Sequence, residues 1–157
     1  MDVLEIRVGS FTYGADKEAT PTAEIYINGC SFREMIDDLE KVYATDEYWG
    51  HAPITMREMF EELTFWCRMP DYEKEATILG CGCGIKECSP LTVKVEETEN
   101  IVVWHSFYNE HRLEWKYSEI EPFFFDRRQY YEELRKLKDS IQRDNRENWK
   151  KQDKGNI

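Results

Sequence analysis

Residues 91–108, LTVKVEETENIVVWHSFY, decide the fold class of this 157-residue chain. Apolar and polar side chains alternate from Leu91 to Val95, and a β-branched and aromatic run extends from Ile101 to Tyr108. A period of two is typical of a strand with one buried face. The polar residues 97–100 between the two runs indicate a turn, so these strands are predicted to pair in an antiparallel hairpin.

Three further segments have strand character. Residues 3–8 alternate in the same way, residues 23–27 end at an Asn-Gly turn signal, and residues 76–81 precede the hairpin. Together with the hairpin they predict an antiparallel sheet of about five strands, a size typical of such sheets.

Three helices are predicted from apolar residues spaced three and four apart. They are expected near residues 31–44, 55–66 and 126–142. Each begins at a Ser, Thr or Asp that is followed three residues later by Glu or Gln, which is the pattern of a capping box. The chain is therefore predicted to be an α+β protein in the order β-β-α-α-β-β-β-α, with the helices covering the sheet.

A single domain is predicted at residues 1–141, because a chain of this length can bury a sizeable core without a metal or a disulfide. Beyond residue 141 the apolar stripe of the last helix stops, and only Trp149 and Ile157 interrupt a polar sequence. Residues 142–157 are therefore predicted to be a polar helix end or tail.

The formal net charge is −11, and this acidity excludes several classes of partner. Contacts to nucleic-acid phosphates and to anionic lipid come from Lys and Arg, so neither a nucleic acid nor a membrane is an expected partner. Residues 121–157 depart from the rest, with ten basic and eight acidic side chains. An acidic body can steer a basic protein toward itself, although such charge also serves solubility alone.

The location predicted from the sequence is the cytoplasm. The first residues, MDVLE, lack the basic and apolar regions of a signal peptide, and no apolar run approaches the ~20 residues of a membrane helix. The chain has 5 cysteines, an odd number, which favours a compartment where thiols stay reduced.

The segment LGCGCGIKECSPL at residues 79–91 places three cysteines within eight residues. Cys81 and Cys83 point to one face of an extended chain, and Cys88 lies across a probable turn from them. Soft thiolates suit zinc, which needs four ligands, so a zinc site is predicted at Cys81, Cys83 and Cys88. His105 is the first candidate for the fourth ligand, with His111 and Cys67 as alternatives. Two other interpretations remain open, namely cysteines that pack in the core and a cysteine nucleophile with His105 as its base.

Aromatic residues are dense between positions 104 and 125. Trp, Tyr and Arg are the residue types most enriched at binding hot spots. A binding surface is therefore predicted at Trp104, Tyr108, His111, Arg112 and Trp115. The alternative is that these side chains cover the sheet and seat the last helix, because aromatic residues also dominate cores.

Residues 78–135 resemble a group of small uncharacterised bacterial proteins. The resemblance rests on the Cys-x-Cys-Gly hairpin with a third cysteine nearby, the strand that contains Trp104, the pair His111-Arg112, and the segment Phe123 to Asp126. The group has no established activity, so the resemblance implies a bacterial origin and directs attention to the cysteine hairpin.

The sequence contains no phosphate loop, dinucleotide fingerprint, His-Glu-x-x-His or Gly-x-Ser-x-Gly motif. The first hypothesis is thus a non-catalytic binding protein, of immunity or accessory type, whose association with a basic partner weakens as salt rises. A small zinc-binding protein is the second hypothesis. A cysteine-dependent enzyme is the third.

Overall fold

The computed structural model describes residues 1–44, 50–84 and 88–155, with side chains through residue 151. Eleven main elements follow one another along the described chain. They are β1 (Leu4–Phe11), β2 (Thr20–Ile27), β3 (Cys30–Ser31), α1 (Phe32–Lys41), β4 (Ile54–Thr55), α2 (Met56–Thr64), β5 (Glu75–Leu79), β6 (Leu91–Glu97), β7 (Ile101–Tyr108), β8 (Phe123–Asp126) and α3 (Arg127–Gly155). Short 3-10 helices span Trp66–Arg68, Pro70–Tyr72 and Tyr117–Glu119.

The strands form two antiparallel sheets of four strands each. In the first sheet β1 pairs with β2, and β2 also pairs with the short strands β3 and β4. In the second sheet β5, β6, β7 and β8 pair in chain order. The predicted α+β class with antiparallel pairing is confirmed, but the strands divide between two sheets instead of forming one. Strands β3 and β4 have two residues each, too few for a period of two to show in the sequence.

Strand β8 was predicted only as packing before the last helix. Its three phenylalanines pair with β7 in the register Trp104↔Phe123, Val103↔Phe124 and Val102↔Phe125. Phe125 is fully buried while Phe124 is exposed, as the alternation of a strand requires. Because residues 123–125 are all phenylalanine, the sequence shows no alternation between apolar and polar side chains there.

The helices begin where their capping residues predict. The Ser31 hydroxyl accepts from the Glu34 N–H at 3.3 Å, and at α2 the side chains of Thr55 and Glu58 each accept from the other's backbone N–H. The last helix runs to Gly155, about four turns beyond the predicted end, because the polar residues after Ile141 are good helix formers without Pro. Among the described residues, no helix is both long and apolar enough to span a membrane.

Side chains of α3 bind the outer edge of β1. The Gln129 amide accepts from the Leu4 N–H at 3.2 Å and donates to the Leu4 carbonyl at 2.5 Å. One turn later, the Glu133 carboxylate accepts from the Ile6 N–H at 3.1 Å. Gln129 was predicted to reach back to its own helix cap, and it instead satisfies backbone groups of the strand. Helix α3 is thus fixed to the first sheet by hydrogen bonds as well as by packing.

One core connects both sheets with the three helices. At its centre Trp104 packs edge-to-face on Phe125 and on Tyr130, with ring centroids 5.2 and 6.2 Å apart. The Trp104 indole N–H donates to the Tyr130 hydroxyl at 3.0 Å, so these two buried polar groups satisfy each other. Aromatic pairs of this geometry add to the free energy gained from buried area.

Replacement of Tyr130 by Phe is expected to destabilise the fold by about 1–3 kcal/mol, because the indole N–H of Trp104 then stays buried without an acceptor. Urea unfolding followed by tryptophan fluorescence measures the difference. Tyr131→Phe is the control, since the half-buried Tyr131 hydroxyl bonds to Arg68 and Glu97 at the surface, where water can replace it. Equal losses in the two variants would contradict the role given to Tyr130.

Candidate metal centre and the adjoining pocket

The structure brings Cys81, Cys83 and Cys88 together. Their three Sγ atoms all lie within 4.8 Å of one another. Cys81 is half-buried, and Cys83 and Cys88 are exposed, so these residues do not fill the core. Residues 85–87, which complete the predicted turn between Cys83 and Cys88, lie outside the described residues. The three thiols form a tripod that opens to solvent.

The cysteine loop is attached to the fold at three points. Gly80 and Ala52 exchange two backbone hydrogen bonds, of 2.8 and 2.9 Å, and the Gly14 N–H donates to the Gly82 carbonyl at 2.7 Å. Beyond the third cysteine, the Ser89 hydroxyl accepts from the Asn109 amide at 3.4 Å. The loop is therefore held in place by protein contacts alone, before any ion binds.

A tight turn sets the spacing of the first two cysteines. The Gly84 N–H donates to the Cys81 carbonyl at 3.1 Å, and Gly84 has a φ of 92°. An L side chain rarely adopts that conformation, and a Cβ at this position would lie 3.2 Å from Cβ of Tyr13. Glycine at position 84 thus allows the chain to return toward the first cysteine.

The proximity of the thiols affects their ionisation. Hydrogen bonds from Cys88 to Cys81 and then to Cys83 raise the pKa of the Cys88 thiol to about 11, because negative charge on one sulfur disfavours charge on the next. A bound cation reverses this effect, since metal ligation requires the thiolate form. Binding of a metal here would consequently release protons and weaken as the pH falls.

The predicted fourth ligand does not join the tripod. The His105 ring bonds through Nδ1 to the Ser106 hydroxyl at 2.8 Å, and its Nε2 lies 3.5 Å from a Glu96 carboxylate oxygen. The exposed His111 ring lies 3.4 Å from Glu110. Cys67 is buried and donates to the Leu63 carbonyl at 3.3 Å. The ligand set given by the described residues is thus three thiols.

Cys67 is the one cysteine that fits the interpretation of a core thiol. Burial raises the pKa of Cys67 to about 11, which keeps the thiol protonated and unreactive near neutral pH. The cysteine nucleophile with His105 as its base stays a prediction. Nδ1 of His105 bonds to the Ser106 hydroxyl, and its buried Nε2 has no hydrogen-bond partner among the described residues.

A pocket of about 550 Å³ adjoins the tripod. Its volume is in the range that holds small organic ligands. Glycines and apolar side chains line most of it, and polar groups come from His51, Ser89 and Arg112. The lining residues are Phe11, Gly14, Gly50, His51, Ala52, Gly80, Cys81, Gly82, Cys83, Ser89 and Arg112. Two of the three candidate metal ligands therefore face a cavity that a second molecule can enter.

A buried polar network supports His51 and Arg112, two residues that line the pocket. The Glu40 carboxylate, which is fully buried on α1, accepts from Arg112 Nη1 at 2.6 Å and from the Tyr117 hydroxyl. Its other oxygen lies 3.0 Å from Nδ1 of the buried His51. These bonds connect α1, the segment before β4 and the long connection after β7.

Asn109 fixes the tautomer of His51. The Asn109 side-chain oxygen accepts from the backbone N–H of His111 at 2.9 Å, so its amide nitrogen is the group that lies 3.1 Å from His51 Nε2. Nε2 is therefore the acceptor, and Nδ1 carries the proton that is donated to Glu40. With both nitrogens bonded within this network, His51 orients the pocket wall and is not a further metal ligand.

The ionisation of Glu40 depends on this network. Burial by itself raises the pKa of Glu40, but the hydrogen bond from His51, together with Tyr117 and Arg112, outweighs it and holds the pKa below its ordinary value of 4.5. Burial, and next the bond to Glu40, raise the pKa of Tyr117 and keep its hydroxyl a donor. Among the described residues, His51, Arg112 and Tyr117 thus stabilise this buried carboxylate.

The residues predicted as a binding surface lie in different environments. Trp104 is fully buried and serves the core, and Tyr108 is exposed at the end of β7. Arg112 belongs to the Glu40 network and lies over the Trp115 ring, 4.5 Å from its centroid. His111 is exposed beside Glu110. The aromatic segment thus divides between the core and the support of the pocket.

Comparisons of the chain with models of protein families, with curated proteins and with solved structures find no match. The resemblance of residues 78–135 to a bacterial group consequently stays a prediction.

Replacement of Glu40 by Gln is expected to destabilise the protein by about 3 kcal/mol at neutral pH. This value is at the lower end of the range for breaking a buried ion pair, because the Arg112 side chain is partly exposed. Chemical denaturation measures this change. Glu34→Gln on the same helix is the control, since Glu34 is exposed and its loss should cost well under about 1 kcal/mol.

Wild type and Glu40→Gln should also differ in how their free energies of unfolding depend on pH. A carboxylate with a lowered pKa in the folded state contributes stability above its unfolded pKa and loses it as the pH falls through the folded value. The difference between wild type and Glu40→Gln should therefore be constant near neutrality and shrink below about pH 4.5. A difference that is independent of pH down to pH 3 would contradict the charged state of Glu40.

Proposed function

We propose that this protein binds a thiophilic metal ion, zinc in the first instance, through the thiolates of Cys81, Cys83 and Cys88. The observation that carries the proposal is the convergence of three sulfur atoms within 4.8 Å of one another. Thiolate sulfur lies about 2.3 Å from zinc, so two sulfurs of a tetrahedral site are about 3.8 Å apart. A contraction of the tripod by about 1 Å at most would therefore let its sulfurs share one ion.

The number of ligands favours an ion with an open position. Structural zinc sites are closed by four protein ligands, whereas catalytic sites keep three and leave the fourth to water or substrate. Three thiols beside a pocket correspond to the arrangement with three protein ligands and an open fourth position. We therefore infer that the metal, when bound, holds an exchangeable ligand on the side that Cys81 and Cys83 present to the pocket.

The chain's own residues supply the remaining parts of such a site. The contacts of Gly80 and Gly82 position the thiols without the ion, which reduces the conformational entropy that binding costs. The network around Glu40 holds His51 and Arg112 in the pocket lining. Exposed thiols this close together would oxidise outside a reducing compartment, which supports the predicted cytoplasmic location. The predicted association with a basic protein stays a separate hypothesis.

The proposal is tested with tag-free protein purified under reducing conditions without chelator. Elemental analysis is expected to find about one zinc per chain, and competition with a chromophoric chelator gives the affinity. The triple variant Cys81→Ser/Cys83→Ser/Cys88→Ser should lose at least about a hundredfold in zinc affinity, because serine hydroxyls are poor ligands for a soft ion. Affinity should also fall as the pH is lowered, since the thiols must lose protons.

Cys30→Ser is the matched control, because Cys30 is also exposed but lies in β3, outside the tripod. It should bind zinc like the wild type. Circular dichroism establishes that the triple variant is folded. If the protein instead binds copper(I), and binding depends on the same three cysteines, the thiolate site is supported and only the identity of the ion changes. Zinc bound equally by the wild type and the triple variant, or by neither, would refute the proposal.

A further inference from the structure

A second cavity, unrelated to the cysteines, lies where the start of α3 meets the turn between β6 and β7. It has a volume of about 570 Å³. Four arginines, an unusual concentration for a chain with a net charge of −11, dominate its lining. The lining residues are Arg68, Glu99, Asn100, Asp126, Arg127, Arg128, Tyr131 and Arg135.

One carboxylate holds two of these arginines in place. Glu97 pairs through one oxygen with Arg68 at 3.2 Å and through the other with Arg127 at 3.4 Å. The Tyr131 hydroxyl donates to the same carboxylate and accepts from Arg68 at 2.5 Å. Both guanidinium groups lie near the Tyr131 ring, at 5.9 and 5.3 Å from its centroid. Their positions are therefore fixed without a ligand.

The other two arginines have no such partner. Arg128 and Arg135 are seven residues apart, which places them on one face of α3 two turns from each other. Over residues 1–44, 50–84 and 88–151, neither of them forms an ion pair or a hydrogen bond through its side chain. Their donors and their charge are free for a molecule that enters the cavity.

The balance of charge at the cavity is positive. Four guanidinium groups oppose the three carboxylates of Glu97, Glu99 and Asp126. The Glu97 carboxylate is already shared by two arginines, and Asp126 accepts from the Gln129 N–H as the cap of α3. Guanidinium groups bind phosphate through paired N–H donors, and their charge persists at every physiological pH.

We propose that this cavity binds a small phosphorylated molecule, with its phosphate held by Arg128 and Arg135 and by the two arginines fixed on Glu97. The volume suits a ligand of nucleotide or sugar-phosphate size. A nucleic-acid strand is disfavoured because it would need a basic track beyond the cavity, whereas the chain as a whole is acidic. Three arginines of the basic segment 121–157, Arg127, Arg128 and Arg135, line this cavity.

The proposal is tested with inorganic phosphate, pyrophosphate and ATP as probes, titrated into the full chain at constant ionic strength and followed by calorimetry and ³¹P NMR. Binding is expected to strengthen with the number of phosphates. The substitutions Arg128→Gln and Arg135→Gln should each weaken pyrophosphate binding by about tenfold or more, the size expected for one charge-assisted hydrogen bond. Neither should change the melting temperature, since neither side chain has a partner to lose.

Arg143→Gln is the control, because it removes the same charge from an exposed position on the same helix outside the cavity. It should leave the affinity within about twofold of the wild type. The triple cysteine variant should also bind pyrophosphate normally, which separates this site from the metal centre. No binding of any of the three probes at millimolar concentration would overturn the proposal. Equal losses with Arg143→Gln and Arg128→Gln would also overturn it, since that result describes general charge attraction.

Discussion

Two backbone hydrogen bonds between Ala52 and Gly80 connect the parts of the structure on which the candidate centre depends. Ala52 comes just before β4 of the first sheet, and Gly80 comes just after β5 of the second. The bonds therefore join the two sheets at the point where the cysteine loop begins. Because Ala52 and Gly80 form an antiparallel bridge, His51 and Cys81 are neighbours across it, and the polar network and the thiols share one cavity.

Local patterns in the sequence were sufficient for the fold class. The alternation in residues 91–108 and the capping residues Ser31, Thr55 and Asp126 act over a few positions, and the structure agrees with each of them. What the sequence could not show was the division into two sheets, which depends on pairings of two to four residues between distant segments. Strands that short have no readable period, and their pairing is decided by tertiary packing.

The candidate site was predictable in part for a similar reason. One local turn is enough to bring three cysteines within eight residues together, whereas His105 was an assumption about the path of a distant strand. The Glu40 network was missed, although one signal was available. Phe32, Ile36 and Glu40 lie four residues apart along α1, which puts a carboxylate in line with the buried stripe of the helix. An acid in such a stripe implies buried partners, but nothing local identifies them as His51, Arg112 and Tyr117.

The hydrogen bonds from Gln129 and Glu133 to β1 have a consequence for the behaviour of the protein in concentrated solution. An edge strand with open N–H and C=O groups is a template on which another chain can add a strand, and this is a common route to aggregation. In this structure amide and carboxylate groups from α3 already occupy Leu4 and Ile6. Helix α3 thus covers this part of the edge of β1. During synthesis the same edge stays open until α3 has been made.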